Sequence, residues 1–265
     1  MRLPAVAGRF YPDNPAELRR MIEGFLGEVK RTDAPVPKAI IAPLAGYIYS
    51  GPIAASAYAL LSASRDTIKR VVLLGPSHQV PFEGLATTSA EVWVTPLGAV
   101  PVDVSSVNEL RSSPHVHVLD EAHAYEHSLE VHLPFLQVVL ADFKIVPLVG
   151  GDASDQQVSE VLGKLWGGPE TFIVISSDLS HYQDYETANR MDRATAAAVE
   201  KLLPEDIGED QACGRIPMRG LLCAARSHRL RVRTVDLRNS GDTAGDLRRV
   251  VGYGAFAFAV GNGPP

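Results

Sequence analysis

Two hydrophobic periods alternate along this chain, and their alternation sets the fold class. Short unbroken apolar runs fall at Ala39–Ala42, Val71–Leu74, Ile145–Val149 and Phe172–Ile175. A run without polar alternation is what a strand buried on both faces requires. Between the runs the period changes to that of a helix. After Asn14-Pro15, an N-cap followed by a first-turn proline, Leu18, Met21, Ile22, Phe25 and Leu26 make one apolar stripe. Val158, Val161, Leu162 and Leu165 do the same over Ser154–Leu165. Further helices are predicted from Gly51-Pro52 through Leu61, over Val104–Leu110, Tyr185–Leu203 and Ile216–Arg226. Another is predicted over Ser128–Leu140, with Pro134 bending it or delaying its start. Leu85–Val94 reads as an antiparallel pair and Val116–Leu119 as a short strand. Val232–Leu237 and Gly254–Val260 read as closing strands. The Pro-rich stretch Asp33–Pro37 separates the first helix from the first strand.

Strands alternating with helices call for an α/β fold: a mostly parallel sheet with helices on both faces. The antiparallel pair and the closing strands make that sheet mixed. The connections are short, so residues 1–265 are expected to form a single domain.

Composition narrows the function classes. Apolar residues make up 46% and charged residues 21%, the balance of a water-soluble globular chain. A net charge of −6 argues against general nucleic-acid binding. The one basic concentration, Arg226 to Arg238, reads as a solvated face. No apolar run is long enough to span a membrane, and the N-terminal segment lacks the apolar core of a signal peptide. Two cysteines are too few for a disulfide framework, so a reducing cytoplasm is the expected location.

The chemistry gathers where apolar runs end. Thr171–Ile175 gives way to Ser176, Ser177, Asp178, Ser180 and His181; Arg70–Leu74 runs into Gly75-Pro76-Ser77-His78; Ala39–Ala42 breaks off at Pro43-Leu44-Ala45-Gly46-Tyr47. Polar residues at several strand ends mark a shared crevice at the carboxyl edge of a parallel sheet. Asp178 and His181 are expected to lie close enough to share a proton or a ligand. Glu126 and His127, before a predicted helix, join this group. So does Cys213, placed just ahead of another helix, where the thiol should ionise well below its ordinary range. Imidazole and thiolate together suit zinc, copper or iron. There is no CxxC pair and no HExxH, so spacing alone does not define a metal motif. His115, His117, His123 and His228 read as surface or loop residues, His132 as a satisfied histidine on a helix face, and Cys223 as core. Ser77 precedes His78 but lacks the G-x-S-x-G elbow, which disfavours a serine hydrolase.

Five ordered segments, IAPLAGYIYSG, LLGPSHQVP, EHSLEVHLPFLQ, VISSDLSHY and CGRIPMRGLL, together with the opening AGRFYP, resemble the Memo family. Its prokaryotic members are called AmmeMemoRadiSam system protein B. The resemblance covers nearly the whole chain and implies a fold like that of the class III extradiol dioxygenases, with a metal at the strand carboxyl ends. It implies His78 and Cys213 as metal ligands, and Asp178, His181 and His127 as proton-handling groups. The family's first histidine falls on Leu44, which cannot ligate. A divalent transition metal (Fe, Cu or Zn) is therefore expected to bind weakly or not at all unless His127 or His181 substitutes. The resemblance supports two readings: a metal- or small-molecule-binding pocket, with redox chemistry in reach, or a non-catalytic module holding a peptide or partner. The family name adds AMMECR-type and radical-SAM proteins as expected partners.

Overall fold

The computed structural model describes residues 1–30 and 35–261. Residues 33 and 34, the start of the Pro-rich stretch, lie outside them. In chain order the strands are β1 (Ala39–Ala42), β2 (Arg70–Pro76), β3 (Leu85–Thr87), β4 (Val92–Thr95), β5 (Gly98–Pro101), β6 (Val116–Val118), β7 (Lys144–Gly150), β8 (Thr171–Ser176), β9 (His181–Gln183), β10 (Leu230–Asn239) and β11 (Val250–Val260). The helices are α1 (Pro15–Glu28), α2 (Tyr47–Tyr58), α3 (Val104–Leu110), α4 (Glu121–Ala124), α5 (Leu133–Val139), α6 (Asp155–Lys164), α7 (Tyr185–Glu200) and α8 (Arg215–Ser227).

One sheet organises the molecule, with strand order β10-β11-β1-β8-β2-β7-β3-β6 and β9 paired to β11. The centre, β1-β8-β2-β7, is parallel throughout. Antiparallel β11 and β10 extend one side, and β3 joins β7 antiparallel on the other. The unbroken apolar runs are these central strands: every residue of β1 and β8 is buried, and β2 and β7 are less than fully buried only at their first residue. Burial on both faces follows from two helix layers. Helices α1, α2 and α5 pack on one another, with α2 against β1; α6 packs on α8, which lies against β2 and β8.

Local chemistry explains the helices. Asn14 caps α1 by accepting from the amides of Ala16 and Glu17, and Leu18 and Ile22 face inward with no exposure. Ser154 and Gln157 form a reciprocal capping box at α6. Gly51 lets α1 and α2 approach closely: a Cβ there would stand 2.4 Å from the Phe25 ring.

Four expectations are corrected. The antiparallel pair is β4 with β5, while β3 belongs to the main sheet. Helix α2 starts at Tyr47 rather than at Gly51, because the Tyr47 amide is held by the Phe10 carbonyl and those of Tyr49 and Ser50 by Gly46; Pro52 lies inside the helix. His123 is buried, its Nε2 3.2 Å from the Ala86 carbonyl and its ring edge-on to Trp93. Cys223 is only half-buried. At Pro134 the helix is delayed: a 3-10 turn, Glu130–His132, precedes α5. Among the described residues, no helix is long and apolar enough to cross a membrane.

Candidate active site

Strands β1, β8 and β2 are neighbours, so their carboxyl ends open side by side. The β1 end delivers Leu44, and the Asp178 carboxylate, just past β8, accepts from the Leu44 amide at 2.8 Å. A second bond, between the Ser177 amide and the Ala42 carbonyl, ties the same two turns. The Asp178 amide points at the Cys213 sulfur at 3.3 Å, and the Gly214 amide donates to the Ser177 hydroxyl. Gly214 is needed there, because a Cβ would stand 2.4 Å from the Ser176 carbonyl. Past β2, the Ser77 hydroxyl donates to the Val80 carbonyl at 2.7 Å.

Glu126 organises the histidine side. Its buried carboxylate accepts from the amides of His78, His127 and Ser128 at 2.5, 2.8 and 2.9 Å. Nδ1 of His78 lies 2.9 Å from Oε1, and Nδ1 of His127 lies 3.2 Å from it. The two imidazoles stack, with centroids 4.7 Å apart and planes at 20°. Burial alone would raise the Glu126 carboxyl, but the hydrogen bonds from His78 and the backbone amides outweigh it and bring it down to about 2. His78, Glu126 and His127 offer ligand atoms that all lie within 4.8 Å of one another; no other such group of three occurs among the described residues. Sequence reasoning put Glu126 beside the site without giving it a role. The acid directly before an imidazole in EHS was the available signal.

A cleft of about 890 Å³ opens here, lined in part by Phe10, Tyr49, Tyr253 and Arg249. Leu44, His78, His127, Asp178, His181 and Cys213 are all in its wall. His132 is not; it is buried elsewhere, its Nδ1 2.8 Å from the Tyr58 hydroxyl. Asp178 and His181 share the cleft without a hydrogen bond between them, because each is engaged by backbone. Asp178 holds the Leu44 amide, and His181 Nδ1 donates to the Leu179 carbonyl at 2.8 Å, which leaves Nε2 with its lone pair.

Burial decides the electrostatics. It raises the Asp178 carboxyl to about 7 against the pull of the Leu44 amide. It lowers both His127 and His181 below the ordinary imidazole range, despite Glu126 beside the first. It pushes the Cys213 thiol up to about 12, with the Asp178 carboxylate adding to the rise. The expectation of an easily ionised Cys213 is therefore corrected. The sulfur sits before the first turn of α8, and exclusion from water beside an acid outweighs the amides near it.

Residues 2–257 match the model of a family described as "Memo-like protein". A "MEMO1 family protein" of Aquifex aeolicus (strain VF5) is 36% identical, the alignment covering 97% of this chain and 99% of that protein. Proteins of the same description from Ignicoccus hospitalis and Nitrosopumilus maritimus are 35% and 31% identical, over 98% and 97% of this chain and 99% of each relative. A match of this extent and identity places the protein in the Memo family.

Proposed function

We propose that the cleft at the strand carboxyl ends binds a small molecule and handles its protons, and that the metal set implied by the family resemblance is incomplete here. The observation that carries this reading is the convergence of Asp178, His181, His78, His127 and Cys213 on one cleft whose wall at position 44 is leucine. A cavity of this size suits a ligand of ordinary metabolite dimensions. Asp178, titrating near 7, is matched to give or take a proton at neutral pH. His181, with Nε2 unprotonated, is an acceptor beside it. Leu44 is buried and offers no lone pair, so the set of residue 44, His78 and Cys213 does not fit a three-ligand metal. A metal bound there would supply Lewis-acid or redox chemistry; this chain's own residues supply orientation and proton transfer.

The test is Leu44→His, with Zn²⁺, Cu²⁺ and Fe²⁺ affinities measured by calorimetric titration against the parent chain. Even the loss of a group supporting a ligand costs roughly 10–100-fold in affinity, so restoring a ligand should gain at least about tenfold. Equal affinities would mean that position 44 does not face a metal and would overturn the reading of an incomplete set.

A further inference from the structure

We propose that a second cavity, at the amino end of the parallel centre, binds a small phosphate monoester with an apolar body. It has a volume of about 470 Å³ and shares no lining residue with the cleft. Lys69 directly precedes β2 and Lys144 opens β7, whereas the cleft lies past the carboxyl ends of the strands. The seven residues of β2 separate the two sites by roughly 20 Å. Strand pairing sets the charge of this cavity. The Lys144 amide donates to the Lys69 carbonyl at 2.9 Å, and both side chains line the cavity. Like charges side by side on neighbouring strands are destabilising, and an anion between them reverses the sign. Among the described residues neither ammonium has an ion-pair or hydrogen-bond partner, while the guanidinium of the next residue, Arg70, turns away to Thr171, Ser106 and Asp103. Arg19 of α1, 3.8 Å from Glu23, is the third cation of the lining, and among the described residues Asp142 is its one acid. The wall thus carries an excess of two positive charges in a chain whose net charge is −6.

The rest of the wall is largely apolar and held in place. Val100 and Phe143 are buried, with Leu97 and Pro101 beside them in the lining. Gln137 fastens the β4–β5 turn to α5: its Oε1 accepts from the Thr95 hydroxyl and its Nε2 donates to the Gly98 carbonyl. Beyond β5, the Asp103 amide donates to the Ile145 carbonyl of β7. Two ammonium groups and a guanidinium beside an apolar wall match a dianionic phosphate head on an apolar body. A carboxylate would bring only half that charge.

The test is calorimetric titration of the full chain with phenyl phosphate, with inorganic phosphate, phenol and benzoate as probes of head, body and charge. Phenyl phosphate should bind saturably, and at least about tenfold more tightly than any of the three. Lys69→Gln and Lys144→Gln should each weaken it about tenfold. In circular dichroism melts without ligand neither variant should unfold earlier than the parent, because each removes a pairing of like charges. Ala99→Trp, which fills the cavity from the exposed face of β5, should abolish binding. Arg249→Gln, in the wall of the cleft, should leave it unchanged. Loss in Arg249→Gln with both lysine variants unaffected would place the phosphate in the cleft and overturn the proposal. Benzoate or inorganic phosphate binding as tightly as phenyl phosphate overturns it too, as does the lack of saturable binding to the parent. If a lysine variant fails to fold, Ala99→Trp and the other lysine variant decide.

Discussion

Asp178 carries a pH dependence whose sign can be worked out. Its carboxyl is raised by burial to about 7, against 3.8 when unburied. Below 3.8 the protonated form is common to folded and unfolded chains, and its full contribution to stability is present. As pH rises the unfolded chain releases the proton first, so that contribution is lost progressively and is gone once pH passes about 7. The loss has an upper bound on the order of 4 kcal/mol at about 1.4 kcal/mol per pKa unit. Asp178→Asn keeps an acceptor for the Leu44 amide and removes the ionisation. It should match the parent in urea unfolding at pH 4 and exceed it at pH 8; equal stability at pH 8 would show that the carboxyl is not kept from water. The cysteines give a kinetic counterpart. With the Cys213 thiol pushed up to about 12 and Cys223 half-exposed on α8, iodoacetamide at pH 8 should modify Cys223 first, read by peptide mass spectrometry. Sequence alone suggests the reverse order, because it shows that a helix follows Cys213 and does not show the depth of the sulfur or the acid beside it. The same blindness to depth made His123 look like a loop residue. By contrast, His78, Asp178 and His181 were legible as cleft residues, since each follows an apolar run that could only be a buried strand.

At the scale of elements, the segment carrying Glu126 and His127 is fastened from outside its own helices. Glu130, fully buried, accepts from the Arg2 guanidinium, the amides of Ala5 and Val6, and the Tyr11 hydroxyl. Arg2 also donates to the carbonyls of His123 and Glu126 and lies over the Trp93 ring. The N-terminal segment thus clamps the turn that sets the two imidazoles. Glu130→Gln would leave Arg2 charged and buried without its counter-ion. Destabilisation on the order of 3–5 kcal/mol is expected, measured by urea unfolding; a change below about 1 kcal/mol would show that Arg2 finds water instead. This clamp was invisible in the sequence, where Arg2 and Glu130 are single charges 128 positions apart. The central strands were legible because their apolar runs are unbroken, and the longer helices because their burial is periodic. The three-residue β3 was not, because an element so short is fixed by its neighbours β6 and β7 rather than by any period of its own.

For the whole molecule, the strand order places chemistry from the first, middle and last parts of the chain on one edge. The mixed, mostly parallel sheet expected from the alternating periods is present, and its parallel centre is what aligns the ends of β1, β8 and β2. What the periods could not convey is adjacency: nothing in β1 says that β8 and β11 flank it. That placement has a consequence for the chain during its synthesis. Strand β1 is four residues long and hydrogen-bonds only to β8 and β11 in the sheet, and the Leu44 amide finds its acceptor 134 positions downstream at Asp178. A nascent chain that has emerged only as far as β7 carries both stacked imidazoles but has no partner for β1, and its central apolar strands stand open on that side. Closure of such long loops is slow and leaves apolar edges exposed while it waits. The Leu44–Asp178–Cys213 wall therefore cannot form before β8 and the segment through Cys213 have emerged, so a ribosome stalled before β8 holds an intermediate that chaperones would shield and that cannot yet present a cleft.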